Sequence, residues 1–219
     1  MANDTTNTHV HPKHLQHHFV DSDQQFDSAK LGMWIFLATE VLFFGGLFAA
    51  YIIYRAWYPE LYTMASEELN TVWGGINTLV LIGSSLTVAM AIKSAQLNQK
   101  KNIAINLGIT IALAFVFMVI KYFEYEHKFH LGIFPGEFYT FEGIAHAKAN
   151  IFFSLYFLMT GLHGIHVIIG IGLMAWLLKR SLNGDFDSEY YTPVEMTGLY
   201  WHLVDIIWIF LFPLFYLID

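Results

Sequence analysis

The chain has 219 residues and no cysteine. That excludes disulfides, thiolate metal sites, iron–sulfur clusters and cysteine nucleophiles. Charge is scarce as well. Asp, Glu, Lys and Arg make up 13% of the residues, about half of what soluble domains carry. The 11 basic residues are outnumbered by 18 acidic ones, for a net charge of −7. Nucleic acid is an unsuitable partner for such a surface, because phosphate backbones select basic ones. There is no phosphate-binding loop, dinucleotide fingerprint, Ser–His–Asp pattern or HExxH motif. Residues 1–30 have no apolar core and no small-residue cleavage site, so they do not read as a signal peptide.

Apolar surface is what the chain has in plenty. Hydrophobic residues account for 56%, with 20 Phe, 12 Tyr and 6 Trp. Five stretches, near 31–54, 72–95, 103–123, 150–178 and 198–217, reach the roughly 20 apolar residues that cross a bilayer. None alternates as a barrel strand does, and lipid tolerates only helices or closed barrels. The expected fold is an all-α integral membrane bundle of five transmembrane helices over 31–219. Residues 1–30 form a polar, His-rich tail in front of it. That tail carries His9, His11, His14, His17 and His18. His-rich tracts can bind metal, but the irregular spacing and polar composition read as disorder. Lys13, Lys30, Lys93, Lys100, Lys101, Lys179 and Arg180 fall on one side of the bundle. Arg55, Lys121, Lys128 and Lys148 fall on the other. The bias puts the N-terminus in the cytoplasm and the C-terminus in the periplasm. The one long loop, 124–149, is aromatic and expected along the outer interface.

Several polar residues sit inside these spans. Glu40 lies in LGMWIFLATEVLFFGGLFAAYIIY, collared in helical projection by Met33, Phe36, Phe43, Phe44 and Leu47. An ionisable group at mid-bilayer costs roughly 2.5–3.5 kcal/mol and usually faces a bundle or a water-filled path. It is either functional or a hydrogen-bonded register residue. The second span carries Gly74, Gly75, Asn77, Thr78, Gly83, Ser84, Ser85 and Thr87, a density of small and hydroxylic residues that marks close helix contact. In the fourth span His163 and His166 share one face. Asn150, Ser154, Gly161 and Gly164 form a small-residue strip for tight packing on another. The histidines admit two readings. One is haem or metal ligation, with His202 as an opposing ligand. The other is a pair of neutral imidazoles hydrogen-bonded between helices. His202 and Asp205 are i, i+3 in the first two turns of the last span, near the membrane surface, where a carboxylate can hold an imidazole tautomer. Lys121 and Glu124 close the third span as an interfacial ion pair, with Lys121 alternatively reaching a lipid phosphate.

Four stretches carry a family resemblance: GMWIFLATEVLFF (32–44), NTLVLIGSSLTVAMA (77–91), TGLHGIHVIIG (160–170) and YWHLVDIIWIFLFPLFYL (200–217). KYFEY (121–125) adds a weaker match. In this order they resemble subunit III of haem–copper terminal oxidases, and they span nearly the whole chain after residue 30. The resemblance implies a non-catalytic auxiliary subunit of a proton-pumping oxidase that reduces oxygen to water. It implies no haem, copper or other metal in this chain, with haem and copper in partner subunits and structural phospholipids in a cleft. Subunit I is the implied direct partner, with subunit II and other oxidase subunits in the complex and a larger respiratory supercomplex beyond it. Glu40 matches the family's buried acid facing subunit I. His163, His166, His202 and Asp205 match polar residues of the bundle that packs the lipid cleft. Lys121 and Glu124 belong with them, and Ser84, Ser85, Gly161 and Gly164 are the close-packing positions. The implied roles are support of proton uptake and of stability during turnover. The long form of the family has seven helices, and the two N-terminal ones are missing here. That points to the short, bacterial form in an inner membrane, and leaves open which lipid contacts remain. Three other readings stay open at this point: an accessory protein of a nitric oxide reductase, a self-contained bis-His membrane cytochrome, and a small transporter using Glu40.

Overall fold

The computed structural model describes residues 14–144 and 148–218. His9 and His11 of the tail lie outside the described residues. Six α-helices follow in order: α1 (Ser22–Trp57), α2 (Pro59–Glu67), α3 (Thr71–Gln96), α4 (Lys100–His130), α5 (Ala149–Leu182) and α6 (Thr192–Tyr216). A 3-10 turn, Gly136–Phe138, lies in the α4–α5 loop. All except α2 are long and apolar enough to cross a membrane. The chain is a multi-pass membrane protein with the expected five spans.

The boundaries depart from expectation in a consistent direction, because helices continue past their apolar cores. Asp21 caps α1, its side chain accepting from the Gln24 backbone N–H at 2.7 Å. Residues 22–30, expected in the disordered tail, are therefore helical. Asn70 caps α3 by accepting from the Val72 and Trp73 backbone N–H groups, which satisfies donors that the helix itself leaves free. α4 runs on to His130, and Gly132 at φ +80° turns the chain out of it. Pro193 opens α6 well before residue 198; a proline at the first turn loses no intrahelical bond. Asp205 consequently lies about 20 Å along the axis from the start of α6, at 1.5 Å per residue, and not near a surface. α2 was not anticipated. It is short and begins at Pro59.

α6 is the central element. Half of its most apolar window is buried, against 17% for α1. Trp201 and Trp208 of α6 are buried among α3, α4 and α5. α3 and α6 run antiparallel with close approaches at both ends. A Cβ on Gly74 would meet the Phe212 ring at 2.7 Å, and one on Gly198 would meet Ile92 at 2.5 Å. α1 docks on the outside of α6 through Tyr51, whose hydroxyl donates to the Leu214 carbonyl. α2 caps one end of the bundle with Tyr62 edge-on to Tyr51 and Phe152. Burial pushes the Tyr62 phenol above its ordinary range, so it packs as a neutral ring. The outward faces of the spans carry exposed Ile, Leu, Val and Phe, Leu42, Leu79, Leu86 and Phe123 among them. Apolar exposure on this scale belongs in lipid or against other membrane helices.

Candidate functional site

Glu40 of α1 reaches His166 of α5. The His166 Nδ1 is 2.7 Å from the Leu162 carbonyl. A ring nitrogen facing a carbonyl carries the proton, so Nδ1–H donates. The other nitrogen, Nε2, lies 3.0 Å from Glu40 Oε2. One proton bridges that contact: the acid donates to a neutral imidazole, or the imidazolium donates to the carboxylate. The two side chains are only 17% and 15% exposed. The Phe44 ring meets His166 edge-on, and the Tyr200 hydroxyl donates to the His166 carbonyl at 2.9 Å. This is a hydrogen-bonded acid–imidazole pair at the meeting of α1, α5 and α6.

The second cluster is larger. Lys121 Nζ donates to Glu124 Oε2 at 2.9 Å and to the hydroxyls of Tyr156 and Tyr216 at 2.9 and 3.0 Å. Glu124 Oε1 accepts from Tyr216 at 2.5 Å, Tyr156 at 2.9 Å and Lys128 at 3.3 Å. All five residues are buried. The sequence expectation of an interfacial pair within α4 is thus too modest. Lys121 and Glu124 form the middle of a network that ties α4 to α5 and α6. The arrangement satisfies its charges and joins helices.

The third cluster lies between α3 and α6. Ser85 Oγ and His202 Nδ1 are 2.7 Å apart, and the Trp201 indole donates to Ser84 Oγ at 3.0 Å. Asp205 does not hold the His202 tautomer, as its spacing suggested. Both its carboxyl oxygens are buried without a hydrogen-bond partner among the described residues, and so is the Asn77 amide. His163 is also unpartnered at both nitrogens. Its ring is sandwiched between Phe117 and Trp208, 5.5 and 5.3 Å away.

The bis-His cytochrome reading asks for His163 or His166 to face His202 with a nitrogen of each open to a haem. His163 is packed among aromatic rings. His166 has both nitrogens engaged, and His202 has one on Ser85. Among the described residues no group of three or more His, Asp or Glu is placed to hold a metal ion. Gly161 and Gly164 are not close-packing positions within this chain, since a Cβ on either would meet nothing within 4 Å. They floor an open groove of about 500 Å³ between α4 and α5, lined also by Phe117, Met118, Ile165 and Ile168. The close approach on α5 is at Gly170, where a Cβ would stand 2.5 Å from the Trp201 ring. Of the tail histidines, His14 stacks on Tyr190 at 4.0 Å.

Sequence reasoning passed over Lys128, Tyr156 and Tyr216. The signal for Lys128 was present. The buried positions 107, 110, 114, 117, 121, 124 and 128 of α4 form one continuous stripe, so the charges extend the core face. The tyrosines carried no such signal, because an aromatic near a span end reads equally well as an interface anchor.

Comparison with known proteins agrees with this fold. The family model for cytochrome c oxidase subunit III matches residues 16–219. Cytochrome c oxidase subunit 3 of Thermostichus vulcanus is 35% identical over 197 residues, covering 88% of this chain and 88% of that protein. The subunit of the same name from Synechocystis sp. is 34% identical over 197 residues, 88% of this chain and 76% of its own length. Heme-copper oxidase subunit I+III of Aeropyrum pernix is 29% identical over 203 residues, which cover 88% of this chain and 23% of that protein. A match along nearly the whole length, on a bundle with five membrane spans, makes this chain a member of the cytochrome c oxidase subunit III family.

Proposed function

We propose that the chain is a non-catalytic auxiliary subunit of a proton-pumping haem–copper oxidase in a bacterial inner membrane. It packs directly on subunit I, with the haem and copper held by partner subunits. The observation that carries the reading is the Aeropyrum relative, whose name joins subunits I and III in one protein. A fusion keeps two chains in one membrane complex, which favours the same adjacency here. The Lys and Arg bias supports a cytoplasmic N-terminus.

Within that complex Glu40 is the acid assigned to the subunit I side. Its role is to exchange the single proton it shares with His166 and so to support proton uptake. Phospholipid fills the groove over Gly161 and Gly164, where the half-buried glycines and the Phe117, Ile165 and Ile168 side chains suit acyl chains. Occupied grooves of this kind stiffen the bundle during turnover.

The test is mild-detergent extraction with this chain as bait, mass identification of the partners and a reduced-minus-oxidised spectrum. The expected result is co-purified subunits I and II with haem bands. A nitric oxide reductase partner, or the chain alone and colourless, overturns the reading. Glu40→Gln should then leave assembly and the haem spectrum unchanged while lowering turnover. Unchanged turnover would remove the proton role and leave packing.

A further inference from the structure

A groove of about 380 Å³ runs along the outer side of α3 and α6. Its rim is aliphatic, formed by Ile82, Leu86, Ile206 and Ile209, and Ala89 and Ser85 keep its floor low. Asp205 and His202 line it as well. Asp205 is 2% exposed, and neither carboxyl oxygen has a hydrogen-bond partner among the described residues. The neighbouring Ser85 hydroxyl lies 2.7 Å from His202 Nδ1 and faces the Asp205 carboxyl as well, and its single proton can serve only one of the two carboxyl oxygens.

A carboxyl group needs partners in either protonation state. Charged, it accepts on both oxygens; neutral, it still has a donor and an acceptor to satisfy. Leaving it without them in hydrocarbon is costly. The missing partner therefore comes from outside the chain, and the depth restricts what it is. Asp205 sits about 20 Å from the first residue of α6 and about 17 Å from its last, at 1.5 Å per residue. Phospholipid head groups stay at the interfaces, far from that level. Inside the hydrocarbon a polar group is delivered by a side chain on another helix, whose own backbone is satisfied internally. Small residues on a groove floor are what let a second helix come close.

We propose that the α3–α6 groove is the docking site for a transmembrane helix of a partner subunit, which inserts a hydrogen-bonding side chain against Asp205. This rests on the reading of the chain as a subunit of a membrane complex. Here α3 and α6 supply the contact, and it lies apart from the Glu40–His166 pair. His202 has its Nε2 left over for a second bond to the same helix.

The chain has no cysteine, so an introduced thiol is its one site for a maleimide. Ile206→Cys, on the exposed rim, is labelled with a benzophenone maleimide in the complete membrane complex and irradiated, and the adducts are mapped by mass. The expected adduct lies on a membrane-spanning segment of a co-purifying oxidase subunit, within one turn of an Asn, Gln, Ser, Thr, Lys or Arg. Adding Asp205→Leu should lower its yield about five-fold, the equivalent of one hydrogen bond, whereas Asp205→Asn should retain most of it. Ala89→Phe fills the groove from an exposed position without touching the core and should lower the yield equally. Adducts confined to lipid or to a quinone-type amphiphile would overturn the proposal. So would peptide adducts indifferent to both Asp205→Leu and Ala89→Phe. The same sample separates the two readings. If the haem-bearing subunits co-purify without a peptide adduct, only the groove proposal falls. If they do not co-purify, the subunit reading falls and takes the groove with it.

Discussion

Glu124 and Asp205 are both carboxyl groups buried in the interior of a membrane bundle, and their surroundings are opposite. Glu124 accepts from two ammonium groups and two phenols. Asp205 has no hydrogen-bond partner among the described residues and lines a groove on the outside of the bundle. The first acid is complete within the chain and holds three helices together. The second is incomplete and turned towards what lies beside the chain. Glu40 falls between them, with one partner and partial exposure. An intramembrane acid is therefore informative through its partners more than through its presence.

The comparison is most severely tested at Glu124. Glu124→Leu leaves the Lys121 and Lys128 ammonium groups buried without their counter-charge. Stranding one side of a buried ion pair costs about 3–5 kcal/mol. The chain should fail to accumulate in membranes, or unfold at much lower denaturant in micelles. Adding Lys121→Met and Lys128→Leu should restore much of the loss, since an apolar replacement of a whole buried network is tolerated far better than half of one. A single variant as stable as the parent would show that the network contributes nothing. Tyr216→Phe is the milder version. It removes one phenol from Glu124 and Lys121 while keeping the ring, and should cost about 1.5–3 kcal/mol, the worth of a hydrogen bond to a charged group.

Asp205→Leu should behave in the reverse way in the isolated chain. At most the Ser85 contact is lost, and an incompletely satisfied polar group is removed, so unfolding free energy should stay within about 1 kcal/mol of the parent or rise. A drop of the size expected for Glu124→Leu would mean that Asp205 is satisfied internally and would abolish the contrast. In the whole complex Asp205→Leu should become destabilising, because Asp205 then has a partner to lose.

The same two residues show what was legible in the sequence. Length and hydropathy placed five spans correctly, because crossing a bilayer demands a long apolar run whatever the surrounding contacts. They placed the ends poorly. Asp21, Asn70 and Pro193 act as helix starts by hydrogen bonding and backbone geometry, which hydropathy does not register. That error moved Asp205 from the interior to the membrane surface. Glu40, His166, Lys121, Glu124, Ser85 and His202 were all singled out as polar residues inside spans, but their partners lie 117 or 126 positions away in the Ser85–His202 and Glu40–His166 cases. Spacing along one helix reveals which residues share a face and is silent about the face opposite. Hence the pairing of His202 with Asp205 by i, i+3 failed, and Lys121 was given one partner in place of three. Gly161 and Gly164 failed for a related reason: a small residue permits close approach and does not compel it.

That last point carries the smallest expected effect and separates the two grooves from each other. The α4–α5 groove is floored by Gly161 and Gly164, and a Cβ at Gly164 meets nothing within 4 Å. Gly164→Ala therefore adds a methyl to open space in a helix interior, where alanine is favoured over glycine by about 0.5–1 kcal/mol. The isolated chain should be unchanged or slightly more stable, as read by reversible unfolding in micelles. Cross-linking from Ile206→Cys, which reports on the other groove, should not move. The α3–α6 groove answers differently because it contains Asp205, so Ala89→Phe should leave the isolated chain intact and weaken only the assembled complex. If Gly164→Ala instead loosened the complex as much as Ala89→Phe, shape alone would account for both grooves. The unpartnered carboxyl would then no longer distinguish one from the other.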